Sequence, residues 1–434
     1  MALAAATTVL IGGGTATADP GVAQVASAPA IRNVVWLSDR RVALWIDSPA
    51  MGTRIQVQLL LARDWNIKPD SRFPALFLLD GLRAADDENG WTKDAGAQAF
   101  YADKNVTVVL PVGGQSGFYT DWRKPDNGKT YRWETFLTRE LPPLLDREWR
   151  TGNVRGIAGL SMGGTAAMTL IGRNPGFARF AASYSGVLTT TTLGMPQAIR
   201  YTMHDAGGYD SDAMWGTVTD AEWRSHDPYA LAEHLKGVSL YVSSGSGLVG
   251  VTGIPPGIPG VSTTFTGMAL ELLARISTLQ FVAKLNKLSI PVQVNYRPSG
   301  THSWPYWDFE MRQSWPQAAA ALGVEAGKPA CASAGAIAPV ALAKSWLGDC
   351  LTPEFPVAGG VAQDFKGGRV FWSQAGGAHS VGGMIGGAYE GAAGPTGALG
   401  FPISDESPIS NGVRQNFQHG FIEFRDGKAE IHAS

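Results

Sequence analysis

The chain has 434 residues, 44% of them hydrophobic, and a formal net charge of −2. That length allows two or three domains and a sizeable core. Near-neutral charge without a basic stripe excludes nucleic acid as a partner, and no apolar stretch approaches the roughly 20 residues needed to span a bilayer, so no transmembrane segment is expected.

In chain order, the start "MALAAATTVLIGGGTATADP" is small and apolar and reaches Ala16-Thr17-Ala18, an A-x-A cleavage pattern, although the first basic residue is Arg32. It reads as the tail of a secretory signal whose start is missing or misassigned, the alternative being a disordered Ala/Gly/Thr leader, with residues 1–30 forming this segment. "VVWLSD" (34–39), "RVALWID" (41–47) and "RIQVQLLL" (54–61) are predicted strands, followed by "PALFLLDG" (74–81) and "VTVVLPVGG" (106–114). Residues 131–149 read as a helix bent or interrupted at Pro142 and Pro143. "VRGIAGL" (154–160) is a strand feeding a helix over 161–174, and "RFAASYSG", "VSLYVSSG" and "PVQVNYR" are the last three strands. Short apolar strands separated by helices predict an α/β domain over 31–325, its largely parallel sheet covered on both faces.

Residues 326–346 are small and poor in pattern and read as a linker. Beyond them "LGDCLTPEFP" (from Leu347) recurs 52 residues later as "LGFPISDESP" (from Leu399), and "VAQDFKGGRVFW" lies over "VRQNFQHGFIEF" at the same offset. A shared offset across two blocks predicts two small β-rich repeats over 347–434, serving either as a wall- or polymer-binding appendage or as a structural extension. Cys331 and Cys350 are the two cysteines, and in an exported chain such a pair reads as a disulfide closing a short loop.

Gly159, Ser161 and Gly163 spell G-x-S-x-G behind a strand and before a helix. In that setting the serine sits at the apex of a strained turn and the glycines leave it room. An acid should follow after a later strand and a histidine after the last. Between Glu233 and Asp308 the one carboxylate is Glu271, and between His234 and His379 the one histidine is His302. The chemistry needs this trio, because a serine hydroxyl is a poor nucleophile until an imidazole takes its proton, and the imidazole needs an anion to orient it. Each has a plainer alternative. Glu271 can stabilise a helix with Arg275 four residues on, and His302 can simply pack. The oxyanion donors are expected to be the amides of Met162, directly after the serine, and Leu82, in the loop after "FLLDG". The histidines are dispersed without a paired ligand spacing, so neither a metal nor another cofactor is expected.

At this point the sequence resembles the antigen 85 mycolyltransferases of mycobacteria and their corynebacterial relatives. The matching stretches are "LLDGLRAADDENGW" (78–91), "LPVGGQSGFYTDW" (110–122), "YRWETFLTRELP" (131–142), "GLSMGG" (159–164), "DAGGYDSDAMWG" (205–216) and "SGTHSWPYW" (299–307). The C-terminal repeats resemble LGFP modules. The resemblance implies an α/β-hydrolase fold and an exported, cell-envelope acyltransferase moving mycolyl groups from trehalose esters to trehalose monomycolate or cell-wall arabinogalactan. It implies Ser161 as nucleophile, Glu271 as acid, His302 as base, and Leu82 and Met162 as oxyanion donors. Asp80, Arg83, Ser183 and Trp304 match positions lining the trehalose site. Plainer roles stand beside these: Asp80 capping a turn, Arg83 pairing with Asp86 or Asp87, and Trp304 packing. Two departures are visible. Asp94 stands where the family often has an asparagine, and "SGSG" (244–247) replaces "CGNG" ahead of a long Gly/Pro-rich loop (248–267) that reads as a mobile gate to the acyl pocket. A secreted carboxylesterase of the same fold and a non-catalytic wall-binding or adhesion protein are the competing readings. Export and the sugar-site matches argue against the esterase, and the intact trio argues against the non-catalytic reading.

Overall fold

The computed structural model describes residues 28–248, 265–326, 333, 335–352 and 354–434. The leader expected over 1–30, apart from its last three residues, lies outside that range. So do Cys331 and the centre of the Gly/Pro-rich loop.

Nine strands form the main sheet: β1 (Ala30–Trp36), β2 (Arg41–Ser48), β3 (Thr53–Leu60), β4 (Phe73–Leu79), β5 (Thr107–Pro111), β6 (Thr151–Leu160), β7 (Phe180–Tyr184), β8 (Ser239–Ser244) and β9 (Val292–Tyr296). Their order is β1-β2-β3-β5-β4-β6-β7-β8-β9. The pairs from β5 through β9 are parallel, and β1, β2 and β3 join as an antiparallel edge. The fold is thus an α/β-hydrolase type with a mostly parallel sheet.

Two apolar layers flank this sheet, and strand alternation sorts side chains between them. In β4, Ala75, Phe77 and Leu79 enter one layer, while Leu76 and Leu78 enter the other. The first layer packs against the helix Met162–Arg173, whose residues from Met162 to Gly172 are all buried. The second packs against the helix Trp304–Leu322 through Trp307, Met311 and Trp315. A parallel sheet buried on both faces needs near-continuous apolar strands, and β5 is buried at all five positions.

The expected helix over 131–149 forms between Trp133 and Glu148 without an interruption at its prolines. Phe136–Glu140 is a π turn, and Pro142 and Pro143 open the first turn of Leu141–Glu148. A helix that runs through prolines must give up their amide bonds, and here a π turn lies directly ahead of them, with the Leu141 amide donating to the Phe136 carbonyl five residues back.

The C-terminal part holds two four-stranded antiparallel sheets in sequential order. The first contains β10 (Phe355–Val357), β11 (Gly360–Phe365), β12 (Gly368–Ser373) and β13 (Gly377–Gly382). The second contains β14 (Ser407–Ile409), β15 (Gly412–Phe417), β16 (Gly420–Arg425) and β17 (Lys428–Ala433). The starts of β10, β11 and β12 recur 52 residues later in β14, β15 and β16, as the sequence repeat requires. The sheets share one core, in which Tyr389 of the helix Gly383–Gly391 stacks on Phe417 at 4.3 Å. Part of the stretch read as a linker is folded onto the first sheet. Ile337–Ala343 is helical, and Ile337 is buried with Leu347, Phe365 and Val370. The alanines there left no visible sequence periodicity, because one isoleucine carries most of the packing. Cys350 is disulfide-bonded, and Cys331, its expected partner, lies outside the described residues.

Candidate active site

Ser161 directly follows β6 and precedes the helix Met162–Arg173, with φ 50° and ψ −121°. A non-glycine residue in such a conformation costs on the order of 1–3 kcal/mol and persists when its surroundings over-determine it. Here the Ser161 amide donates to the Tyr184 carbonyl at 2.8 Å, and the Ser161 carbonyl accepts from the Thr165 amide at 3.0 Å. Both flanking glycines are sterically required: a Cβ on Gly159 would collide with the Gly163 carbonyl, and one on Gly163 with the carbonyls of Asp80 and Leu79.

The structure brings Ser161, His302 and Glu271 together from three separate segments. His302 Nε2 lies 2.7 Å from Ser161 Oγ, and His302 Nδ1 lies 2.9 Å from Glu271 Oε2. Glu271 sits on the helix Phe265–Lys287 and is fully buried. Its Oε1 accepts from Ser185 Oγ at 2.8 Å and from the Gly245 amide at 2.5 Å. Burial pushes its pKa up, but the hydrogen bond and charge of His302, the charge of Arg297 and the Gly245 amide outweigh this and hold the carboxyl below its ordinary value. Arg275, the helix partner considered for Glu271, instead donates to the carbonyls of Ser244 and Arg297.

Leu82 and Met162 both line the pocket beside Ser161. Neither amide has a hydrogen-bond partner among the described residues. Met162 opens its helix, where amides face outward without an intrahelical carbonyl. Asp80 shapes the loop carrying Leu82. Its carboxylate accepts from the amides of Gly81 and Gly90, both at 2.7 Å, and its own amide donates to Tyr119 Oη at 3.0 Å. Burial pushes the Asp80 carboxyl up to about 6.

The pocket encloses about 690 Å³. Its lining includes the apolar Phe118, Met195, Ile199, Leu270 and Leu273 and the charged Asp80, Arg83, Asp94 and Asp205, together with Trp304 and Trp307, the latter edge-on to His302. Arg83 pairs with Asp205 at 2.6 Å, rather than with Asp86 or Asp87. Trp304 lies edge-on to both Trp91 and Trp307, so it packs and lines the pocket at once.

Ser183 is the exception among the expected site residues. It does not line the pocket. It is completely buried, with its hydroxyl wedged against Gly164 and Gly186. Alternation along β7 points it, like Ala181, into the layer under the helix Met162–Arg173. Ser185, just past the end of β7, is the serine that reaches the site. The sequence reading also missed Asp205 and Arg297. No short motif links them to Ser161, and only the folded topology brings them near. Among the described residues no cluster of three His, Cys, Asp or Glu side chains is arranged to hold a metal, and no helix is long and apolar enough to cross a membrane.

Comparison with known proteins adds to this geometry. The family described as putative esterase matches residues 48–318, and the LGFP repeat matches residues 347–397. The chain is 35% identical over 328 residues to diacylglycerol acyltransferase/mycolyltransferase Ag85B of Mycobacterium intracellulare, covering 74% of this chain and 95% of that protein. It is 37% identical over 294 residues to the Ag85A protein of Mycobacterium leprae, covering 65% and 84%. The crystal structure of Mycobacterium tuberculosis MPT51 (FbpC1) aligns with TM-score 0.56 and 26% identity, covering 64% of this chain and 97% of that one. An S-formylglutathione hydrolase from Agrobacterium tumefaciens aligns with TM-score 0.52 and 16% identity over 67% of this chain and all of its own, a likeness of fold alone.

Proposed function

Because this chain belongs to the antigen 85 mycolyltransferase family of putative esterases, acyl-transferring enzymes of the serine-hydrolase type, we propose that it moves mycolyl groups from trehalose monomycolate to a second trehalose monomycolate or to cell-wall arabinogalactan through an acyl-serine intermediate. Ser161 Oγ attacks the ester carbonyl while His302 Nε2 takes its proton, and Glu271 stabilises the imidazolium. The amides of Leu82 and Met162 hold the oxyanion. Trehalose leaves with the proton from His302, and the acyl group remains on Ser161. An acceptor hydroxyl then gives its proton to His302 and attacks the acyl-serine, which releases the new ester and frees Ser161. Arg83 and Trp304 hold the sugar, and Asp80 keeps the loop bearing Leu82 in shape. The enzyme works outside the cell at the envelope, where its LGFP repeats bind wall polymer.

The observation that carries this reading is the hydrogen-bonded chain from Ser161 through His302 to Glu271, opening on a pocket lined by both apolar and charged side chains. A mycolate ester of a sugar needs both surfaces. Incubation of the purified protein with trehalose monomycolate tests it. Formation of trehalose dimycolate supports transfer, whereas free mycolic acid as the only product contradicts it.

A further inference from the structure

On the far side of Glu271 from His302 lies a second buried carboxylate, Glu310, with one guanidinium between them. Both glutamates are fully buried and Arg297 is 3% exposed. Arg297 Nη1 donates to Glu310 Oε1. The Glu310 carboxylate also accepts from Asn295 Nδ2 at 2.9 Å and from Tyr241 Oη at 2.6 Å, so its charge is satisfied from three sides. Another nitrogen of the guanidinium faces the site: Nη2 stands 3.6 Å from Glu271 Oε1 and is taken up by no hydrogen bond. The arginine is fixed at both ends. Its amide donates to the Ser244 carbonyl at 3.0 Å, and its guanidinium lies 5.2 Å from the Tyr306 ring centre.

We propose that Arg297 is a positioning residue for the reaction: anchored by Glu310, its charge keeps Glu271 ionised and oriented behind His302, and so sets the lowest pH at which the enzyme works. This rests on Glu271 being the acid of the catalytic trio. A fully buried carboxylate takes up a proton readily unless cations or donors face it. Three groups besides Arg297 do so: His302 from the loop before its helix, Ser185 after β7 and the Gly245 amide after β8. Arg275, one turn along the same helix, directs its guanidinium to backbone carbonyls and lies over the Tyr296 ring. Arg297 is therefore the cation nearest Glu271 apart from His302 itself, and Glu310, from the helix Trp304–Leu322, is the anion that holds it there. The arrangement answers a specific difficulty. His302 must accept a proton during each turnover, and Glu271 must not take that proton for itself.

The test is the pH dependence of kcat/KM for a p-nitrophenyl acyl ester, measured on the full chain. The double variant Arg297→Met/Glu310→Gln removes the cation and its counter-charge together, so neither is left buried without the other and Glu271 alone loses its cation. Its acid limb is expected to move up by about 1 pH unit. Arg297→Lys, which keeps the charge, should restore a limb close to wild type. Glu310→Gln alone leaves the cation free of its counter-charge and should move the limb down. Acid limbs that coincide with wild type in both Glu310→Gln and the folded double variant overturn the proposal. A Ser161→Ala control without turnover keeps the reading of the site intact, so a flat result counts against Arg297 alone.

Discussion

A single methyl at Gly163 tests the oxyanion arrangement without touching any reacting group. Gly163 is the second residue of the helix behind Ser161, and its α-carbon presses on the end of β4. A Cβ built there collides with the carbonyl of Asp80 and comes within 2.7 Å of the Leu79 carbonyl oxygen and 2.8 Å of its carbon. All three are backbone atoms, so no side-chain rotation relieves the clash. The helix and the Asp80–Leu82 loop must separate, and the amides of Met162 and Leu82 separate with them. Overpacking of this kind costs about 1–3 kcal/mol of stability. Losing one oxyanion donor costs about 3 kcal/mol in the transition state, or a 100-fold or greater fall in kcat. Gly163→Ala is therefore expected to melt at lower temperature and to lose at least two orders of magnitude in kcat, with KM little changed. Gly152→Ala is the control, since its new methyl meets nothing closer than 3.8 Å. Steady-state hydrolysis of a p-nitrophenyl ester and a thermal melt read out both effects. A Gly163→Ala enzyme with kcat within about threefold of wild type would refute the reasoning.

Three further expectations follow from the same geometry. Glu271→Gln keeps the shape of the acid but removes its charge, and kcat should fall by about 10⁴, measured on the same ester after a circular-dichroism check of folding. Trp304→Ala and Arg83→Ala should raise the ratio of free mycolic acid to trehalose dimycolate, because water at about 55 M replaces a sugar that is no longer held in position; an unchanged ratio in both favours a plain esterase. His226 is buried against Trp215, and burial, helped by the Arg173 charge, pulls its pKa down to about 4. The unfolded chain therefore binds more protons between pH 6.5 and 4, and the fold loses up to about 3 kcal/mol as pH falls through that window. His226→Gln should flatten that part of a plot of melting temperature against pH.

Much of the catalytic domain was legible because its strands are short, apolar and bounded by turn residues, and because Glu271 and His302 had no competitors in their stretches of chain. The repeats were legible from one constant offset. Side-chain direction at the end of a strand was not. "AASYSG" offers two serines two residues apart, which alternation alone would put on one face; Ser183 lies within β7 and faces the helix layer, whereas Ser185, past the end of the strand with φ 54°, turns its hydroxyl to Glu271. The Arg83 pairing with Asp205 spans 122 residues, and the buried group of Glu271, Arg297 and Glu310 joins three separate elements. Such contacts have no period or spacing to read. The packed helix Ile337–Ala343 was hidden for the opposite reason, since a run of small residues carries almost no pattern.

The central claim is an acyl group carried on Ser161. Brief incubation of the full chain with an acyl phosphonate that mimics the tetrahedral intermediate, followed by proteolysis and mass spectrometry, tests it most directly. One adduct on the peptide containing Ser161, absent from Ser161→Ala along with turnover of trehalose monomycolate, is the expected result. An adduct on another residue, or undiminished turnover in Ser161→Ala, contradicts the account.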